Sequence, residues 1–507
     1  MVGLALLLAL VPAAAYAADS TTGSFTVGSV TPNMTAMEIY SDAGLTLIAS
    51  TLTPQVEYYQ KISGTTLNSA DNIPVFIVAA IDSTDKNSAN YICDGKDDQI
   101  EINAAIAALK SSNGIVVLFS GTYYLTNSIL TMPNLILEGQ SQQTVLFLVS
   151  NSNCDVITGN YRSIPNVTIQ NLTINGNQEQ QFLSGAPQNI WLGDGLNCKG
   201  DNSTFQYLNI ENIYCTGISV NGTNENINNN TLTNCASDGI ALDSGDGSLI
   251  SNNTLTNCGF RPVPLPLNSG KGSAIAINAG NNIKVVLNAI NGGGWVRQIV
   301  AGNSKNIEIS NNTLVNGLAY GIVAPSQFAR IISNSVSYCP GNGIDTWGGN
   351  NATIQNNLVS HIGGNVSVGL SDESTGICLN TSNTVCTNNT IEFCEDNGIH
   401  VGPGNNSNKI IGNTIRDCGW SKAWWACGIL LQSYNSSKTI DGTTIQGNTI
   451  YDDQTIPTQM YGIILSAKPG AISNITIINN DLRNNGKAGM LIEKTNITNL
   501  VTSNNLQ

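Results

Sequence analysis

One of the two histidines in this 507-residue chain, His400, lies in "CEDNGIHVGPGNN" (394–406). Related stretches read "CASDGIALDSGDG" at 235–247 and "CPGNGIDTWGGNN" at 339–351. Aligned on Gly-Ile, they put Asp345 in the slot of His400, and a carboxylate and an imidazole are groups that move protons. A second set, Asp238, Asp243 and Asp246, brings three carboxylates close in sequence. Such a set can cleave a glycosidic bond or hold Ca²⁺, the one cofactor these residues suggest, through oxygen ligands. A third set is aromatic and charged: Trp347, Trp420, Trp424 and Trp425, with Arg261, Lys271, Asp372 and Glu373. Tryptophan offers a flat apolar face with a polar edge, which suits a sugar ring, and Arg261 and Lys271 suit a uronate carboxylate. Plainer readings stand beside these. Asp is a common turn former, Trp can anchor a loop, and Asp345 and His400 can be solvated members of a repeat. Zinc or copper is disfavoured, because there is no Cys-x-x-Cys and there are only two His.

Composition narrows the setting. Charged residues make up 11%, far below the usual quarter, while hydrophobic residues make up 41% and there are 50 Gly. Few charges argue against a mainly helical protein, and Gly with abundant Asn argues for many turns. A net charge of −14 disfavours nucleic acid, which needs basic patches. The start, "MVGLALLLALVPAAAYAADS", is an apolar run ending in Ala15-Tyr16-Ala17, the pattern of a secretory signal peptide over 1–18. No later segment is apolar for long enough to span a membrane after cleavage. The expectation is a secreted, extracellular or cell-surface protein.

What positions the candidate residues is a repeat. From about residue 205, Asn-Asn-Thr-Leu-type segments (229, 252, 311, 388) alternate with Gly-Ile pairs. Gly217, Gly239, Gly321, Gly343, Gly376, Gly398, Gly428 and Gly462 fill the glycine slot, 22 residues apart where nothing is inserted. Short β-type segments broken by Asn and Gly at this period suit a single-stranded parallel β-helix, an all-β solenoid giving one strand per coil to each sheet. Coils would stack ~4.8 Å apart, with like residues forming ladders and Asn bonding to Asn. Counted from the Gly, positions +1 and +3 point inward and +2 and +4 point to solvent. Asp345 and His400 then stand two coils, ~10 Å, apart on an exposed row, with Cys378 between them and Trp347 alongside. Insertions at 259–273, 363–375, 419–427 and 454–461 fall at one slot and would wall a groove over that row. Cys235 and Cys258, like Cys394 and Cys418, share one slot in adjacent coils, as disulfides or as a thiol ladder.

Asp97-Asp98, then a helical stretch with Ile100, Ala104, Ala105 and Leu109 on one face, then the strand Gly114–Leu118 and Gly121-Thr122-Tyr123, resemble the N-terminal cap of pectate-lyase-like right-handed β-helix proteins. The Gly-Ile coils are similar to the repeats of carbohydrate-binding proteins and sugar hydrolases. "SDGIALDSGDG" loosely resembles the Asp elements of polygalacturonases, with a different spacing and no Gly-His-Gly or Arg-x-Lys after it. The resemblance implies a right-handed parallel β-helix over 81–507, with a helical cap near 97–110 and a small β-rich module at 19–80. It implies a polysaccharide or cell-surface glycan as partner, bound in the groove, with cleavage by hydrolysis or elimination, or else epimerisation, as the candidate reactions. The alternative is a non-catalytic adhesion or structural solenoid.

Overall fold

The computed structural model describes residues 73–110, 113–182, 192–260, 272–364, 374–421, 425–493 and 495–507, together with two short strands near the start. The chain divides into two compact units, Met1–Val75 and Phe76–Gln507. In the first, Ile39–Tyr40 pairs antiparallel with Leu47–Ala49. The leader expected at 1–18 lies outside the described residues, as does most of 19–72.

The second unit is a right-handed parallel β-helix. Each coil supplies three strands in the same order. One coil runs Asn226–Asn228, Thr231–Cys235 and Ile240–Leu242, and each of these pairs in parallel with its counterpart in the next coil, Leu249–Ser251, Thr254–Thr256 and Ser273–Ile277. We call the three sheets first, second and third in that order. The register is continuous: in the third sheet Ile344 lies beside Ile377, and Ile377 beside Ile399.

Three sequence features enforce this winding. Apolar residues at alternate strand positions fill the coil interior, so Ile227, Leu232, Ile240 and Leu242 and their equivalents are fully buried in one continuous core. The Gly of Gly-Ile answers a close approach. A Cβ at Gly239 would sit 2.6 Å from the Ala274 carbonyl oxygen, and one at Gly398 would sit 2.7 Å from that of Gly428. Backbone of the next coil occupies that space, so no side chain fits. The third feature is an internal ladder of asparagines. Asn230, Asn253, Asn288, Asn312, Asn334, Asn357, Asn389, Asn413, Asn448 and Asn480 each donate from Nδ2 to Oδ1 of the next, ending at Asn505, at 2.8–3.0 Å. Each also bonds a carbonyl one coil back, as Asn253 does to Ile227 at 3.0 Å. Buried amides are tolerated only when paired in this way.

A helix, α1 (Gln99–Ala108), packs against the first strands of the coil. Its buried face is Ile102, Ala105, Ile106 and Leu109. Ile100, expected on that face, is 60% exposed, and Ala104 is exposed too. The expected face is thus rotated, with only Ala105 and Leu109 in common. The cysteines are free thiols, all but Cys154 buried. Cys235 with Cys258, and Cys394 with Cys418, form the thiol-ladder alternative rather than disulfides.

Candidate functional site

The third-sheet row is assembled as its register required and is covered where exposure was expected. Asp345 pairs with Cys378, and Cys378 with His400, on successive strands. These side chains point out of the coil, yet Asp345 is 6% exposed and Cys378 1%. The same row holds buried Ala241, Val323, Leu430 and Ile464, the last two in a small outer core with Cys427, against which Trp425 and Tyr461 pack. The correction has a physical reason in local neighbours: Asn342, Asn380 and the Trp347 backbone close in on Asp345 and Cys378, while Trp425 and Tyr461, the latter at the head of the strand Tyr461–Ser466, pack against Leu430 and Ile464. Asp345 is tied down by the Trp347 backbone N–H at 2.9 Å and by Asn342 Nδ2 at 3.1 Å. His400 is half-buried. Its Nδ1 lies 3.9 Å from Cys378 Sγ, and its Nε2 meets no partner among the described residues. Burial lowers its pKa to about 4, so the ring is neutral at pH 7. Trp347 projects into solvent, 64% exposed.

The three aspartates do not converge. Asp238 is half-buried one residue before Gly239, where its Oδ1 accepts the Ser273 N–H at 2.7 Å. Burial raises its pKa to about 6. Asp243 and Asp246 are exposed and accept from Asn278 and Asn281 of the next coil, each at 2.8 Å. Asp238 belongs instead to a corner column with Asp155 and Asp194, both also raised by burial. Asp155 Oδ1 accepts the backbone N–H of Gly193 and of Asp194, so these carboxylates brace the corner. Among the described residues, one group of three can converge on a metal, Cys93, Asp98 and Glu101 beside α1, and it excludes the aspartates suggested for Ca²⁺. Arg261, Lys271, Asp372, Glu373 and Trp424 lie outside the described residues.

The surface with a cavity is a different one: the turn leaving the second sheet, from which the insertions emerge. One residue per coil there takes the left-handed conformation. Asn212, Asn234, Asn257, Gly292 and Asn316 hold the slot, and then Tyr338, His361, Phe393 and Asp417, with φ between 52° and 69° throughout. Asn and Gly tolerate this region, while a bulky side chain is strained in it. Aromatic residues also take it at the corner before the first sheet (Phe328) and at the one before the second (Tyr207), singly. Here three occur on successive coils.

Two cavities lie along this column. The first, about 620 Å³, is lined chiefly by amides, among them Asn175, Asn212, Asn234 and Asn257, with Phe147 and Phe260 at its sides. The second, about 360 Å³, is lined by Tyr338, His361, Phe393, Trp420, Asp417 and Gln454. Its rings are stacked: Tyr338 on His361 at 4.7 Å and 21°, then His361 on Phe393 at 5.0 Å and 30°. Tyr338 is 54% and Trp420 40% exposed. Arg416 continues the stack 5.3 Å above Phe393. Its guanidinium bonds Glu392 at 2.7 Å, Asp453 at 3.2 Å and Asp417 at 3.4 Å. Burial pushes the Asp417 carboxyl up to about 6, with Asp453 and Asp452 reinforcing the shift. This constellation can stack on a flat apolar face and hydrogen-bond along its edge.

Of the residues singled out in sequence, Trp420 joins this groove, Asp345 and His400 lie on the neighbouring sheet, and Trp347 lies in the turn after it. Tyr338, His361, Phe393 and Asp417 were missed. Their signal was present: "SYC", "SHI", "EFC" and "RDC" stand where other coils read "TNC".

Residues 194–359 and 360–506 match the family model described as right handed beta helix region. No curated protein matches. Among solved structures, the mannuronan C-5 epimerase AlgE6 A-module of Azotobacter vinelandii is 19% identical, covering 81% of this chain and 96% of that one, with a TM-score of 0.40. The catalytic unit of the GH87 alpha-1,3-glucanase of Streptomyces thermodiastaticus is 14% identical, covering 81% and 66%, with a TM-score of 0.41. The tailspike protein of E. coli bacteriophage HK620, a mutant, is 13% identical, covering 80% and 74%, with a TM-score of 0.50. The likeness is one of fold.

Proposed function

The chain belongs to the right-handed β-helix family, and from that premise we propose that it is an exported carbohydrate-active protein holding a polysaccharide along the corner groove of its coil. The observation that carries the reading is the run of Tyr338, His361 and Phe393 on successive coils, at a slot that the five coils before them give to Asn or Gly. Each bulky residue costs about 1–2 kcal/mol there. Local strain of this kind, persisting in a row, is a mark of a surface kept for use. Sugar C–H faces lie flat on such rings while hydroxyls reach neighbouring amides.

Cleavage is the stronger form of the proposal. Asp417 in the cavity wall does not supply its acid, because it is fully buried, accepts the Asp453 backbone N–H at 3.0 Å and pairs with Arg416; it braces the groove, and a cleaving acid would have to come from an exposed carboxylate beside it. The apolar leader ending Ala15-Tyr16-Ala17 supports export.

The test is a panel of plant, algal and bacterial polysaccharides, scored for binding by wild type and by the double variant Tyr338→Ala/Phe393→Ala. Reducing ends and unsaturated products are followed in parallel. Binding that the double variant loses is expected. No binding by wild type across the panel would sink the proposal, and binding without product would select the non-catalytic adhesion alternative.

A further inference from the structure

The glycan that fits this groove is set by its charge. Resting on the glycan reading above, we infer that the ligand is a neutral, hydroxyl-rich polysaccharide and not a polyuronate or sulfated chain. Neither cavity has a Lys or Arg among its described lining residues. The one cation at the edge of the aromatic half, Arg416, is already committed. Its Nε and Nη2 bond Glu392 at 2.9 and 2.7 Å, and its Nη1 serves Asp453 and Asp417. Three carboxylates on one guanidinium leave that end of the groove anionic, and Arg416 lies as a lid over Phe393, where it extends the stacking surface.

Two further carboxylates stand close by. Glu395 Oε2 accepts the Gly364 N–H at 2.8 Å, and Asp396 Oδ1 accepts from Ser421 Oγ at 3.1 Å. At the other end Glu179 lines the larger cavity, and Glu211 bonds Asn175 at 2.7 Å. A polyanion laid along this column would meet like charge at both ends with no free described cation to offset it, and is repelled. A neutral sugar meets what the column does offer, uncharged amides for its hydroxyls and rings for its C–H faces.

The experiment uses the full chain in EDTA, with a linear neutral glucan and a polyuronate of matched length. Expected are binding of the glucan and binding of the polyuronate at least about tenfold weaker at low salt, a gap of about 1.4 kcal/mol or more. Raising salt from about 20 mM to about 500 mM should narrow the gap by weakening repulsion and leave glucan binding nearly unchanged. Polyuronate binding equal to or tighter than glucan binding at low salt would overturn the inference. If that binding also disappeared in Arg261→Gln/Lys271→Gln, recognition would belong to the insertion at 259–273. Glucan binding that persists in Tyr338→Ala/Phe393→Ala would overturn it as well, by removing the ligand from this groove. If neither polymer binds, the glycan reading itself fails, a result distinct from a preference of the wrong sign.

Discussion

The corner groove has two halves built on the same rungs. From Asn212 to Asn316 the left-handed slot holds amides and one glycine, and from Tyr338 to Phe393 it holds rings. Backbone, register and buried ladder do not change between them. Asn253, behind the amide half, makes the same set of bonds as Asn357, behind the aromatic half: one to the next Asn and one to a carbonyl a coil back. The difference teaches that the solenoid fixes where a side chain stands and leaves its chemistry open. A slot whose ground state is Asn, relaxed in this conformation, can be given over to a ring at a modest local cost.

If the two halves share one scaffold, breaking it behind either should hurt alike. Asn253→Ala and Asn357→Ala each strand the backbone N–H and the Nδ2 of the preceding Asn, which donate to the lost Oδ1. At about 1–3 kcal/mol per buried orphan, each should lose about 3 kcal/mol in denaturant unfolding, within error of the other. A much smaller loss behind the rings would mean the halves differ in their core as well. Function should then split them. Tyr338→Ala/Phe393→Ala removes two stacking faces, about 2 kcal/mol at 0.5–1.5 kcal/mol each, or roughly 30-fold in affinity by titration calorimetry. Asn234→Gly/Asn257→Gly keeps the turn relaxed and removes two amides, for about fivefold.

Acid should separate the halves too. The Asp417 carboxyl is raised from 3.8 to about 6 by burial. The folded chain therefore holds a proton there that the unfolded chain releases between those values. Its contribution to stability is greatest below pH 4 and is lost as pH climbs to 6. Asp417→Asn should flatten that part of the stability–pH curve, measured by thermal unfolding at a series of pH values, whereas Asn234→Gly should leave its shape alone. The smallest effect belongs to Trp347→Ala. This Trp is exposed in the turn after a third-sheet strand, outside the column, so affinity should move less than about twofold. A larger fall would shift the binding face to that sheet.

How much of this was legible follows from what repeats. Gly at 217, 239, 343, 376 and 398 recurs because the next coil's carbonyl occupies the Cβ position, so the spacing of the coils could be read directly. The asparagine ladder was equally plain, since its members must align to bond. The pairing of Asp345, Cys378 and His400 followed from the same register. Their burial did not, because it comes from side chains particular to single coils, as Asn342 at Asp345, Asn380 at Cys378, and Trp425 and Tyr461 against Leu430 and Ile464 illustrate. The aromatic column was legible only as a departure. Tyr338, His361 and Phe393 replace an Asn whose role, a relaxed left-handed turn, is a property of the backbone and leaves no mark on hydrophobic patterning. His400 drew attention as a rare residue in a clear motif, while the other histidine, His361, stood in the groove.

The buried amide ladder has a kinetic consequence. Each rung couples chiefly to the one before and the one after, so opening a rung in the middle strands bonding groups on two sides, whereas opening the last strands one. Loss of structure should therefore travel inward like a zipper from the outermost rungs. In the series from Asn230 to Asn505, Asn357 has five members on either side, and its rung carries His361. His361 stands on the tenth of the thirteen strands of the second sheet, so unwinding from the last described rung has only three strands of that sheet to release before it reaches that ring.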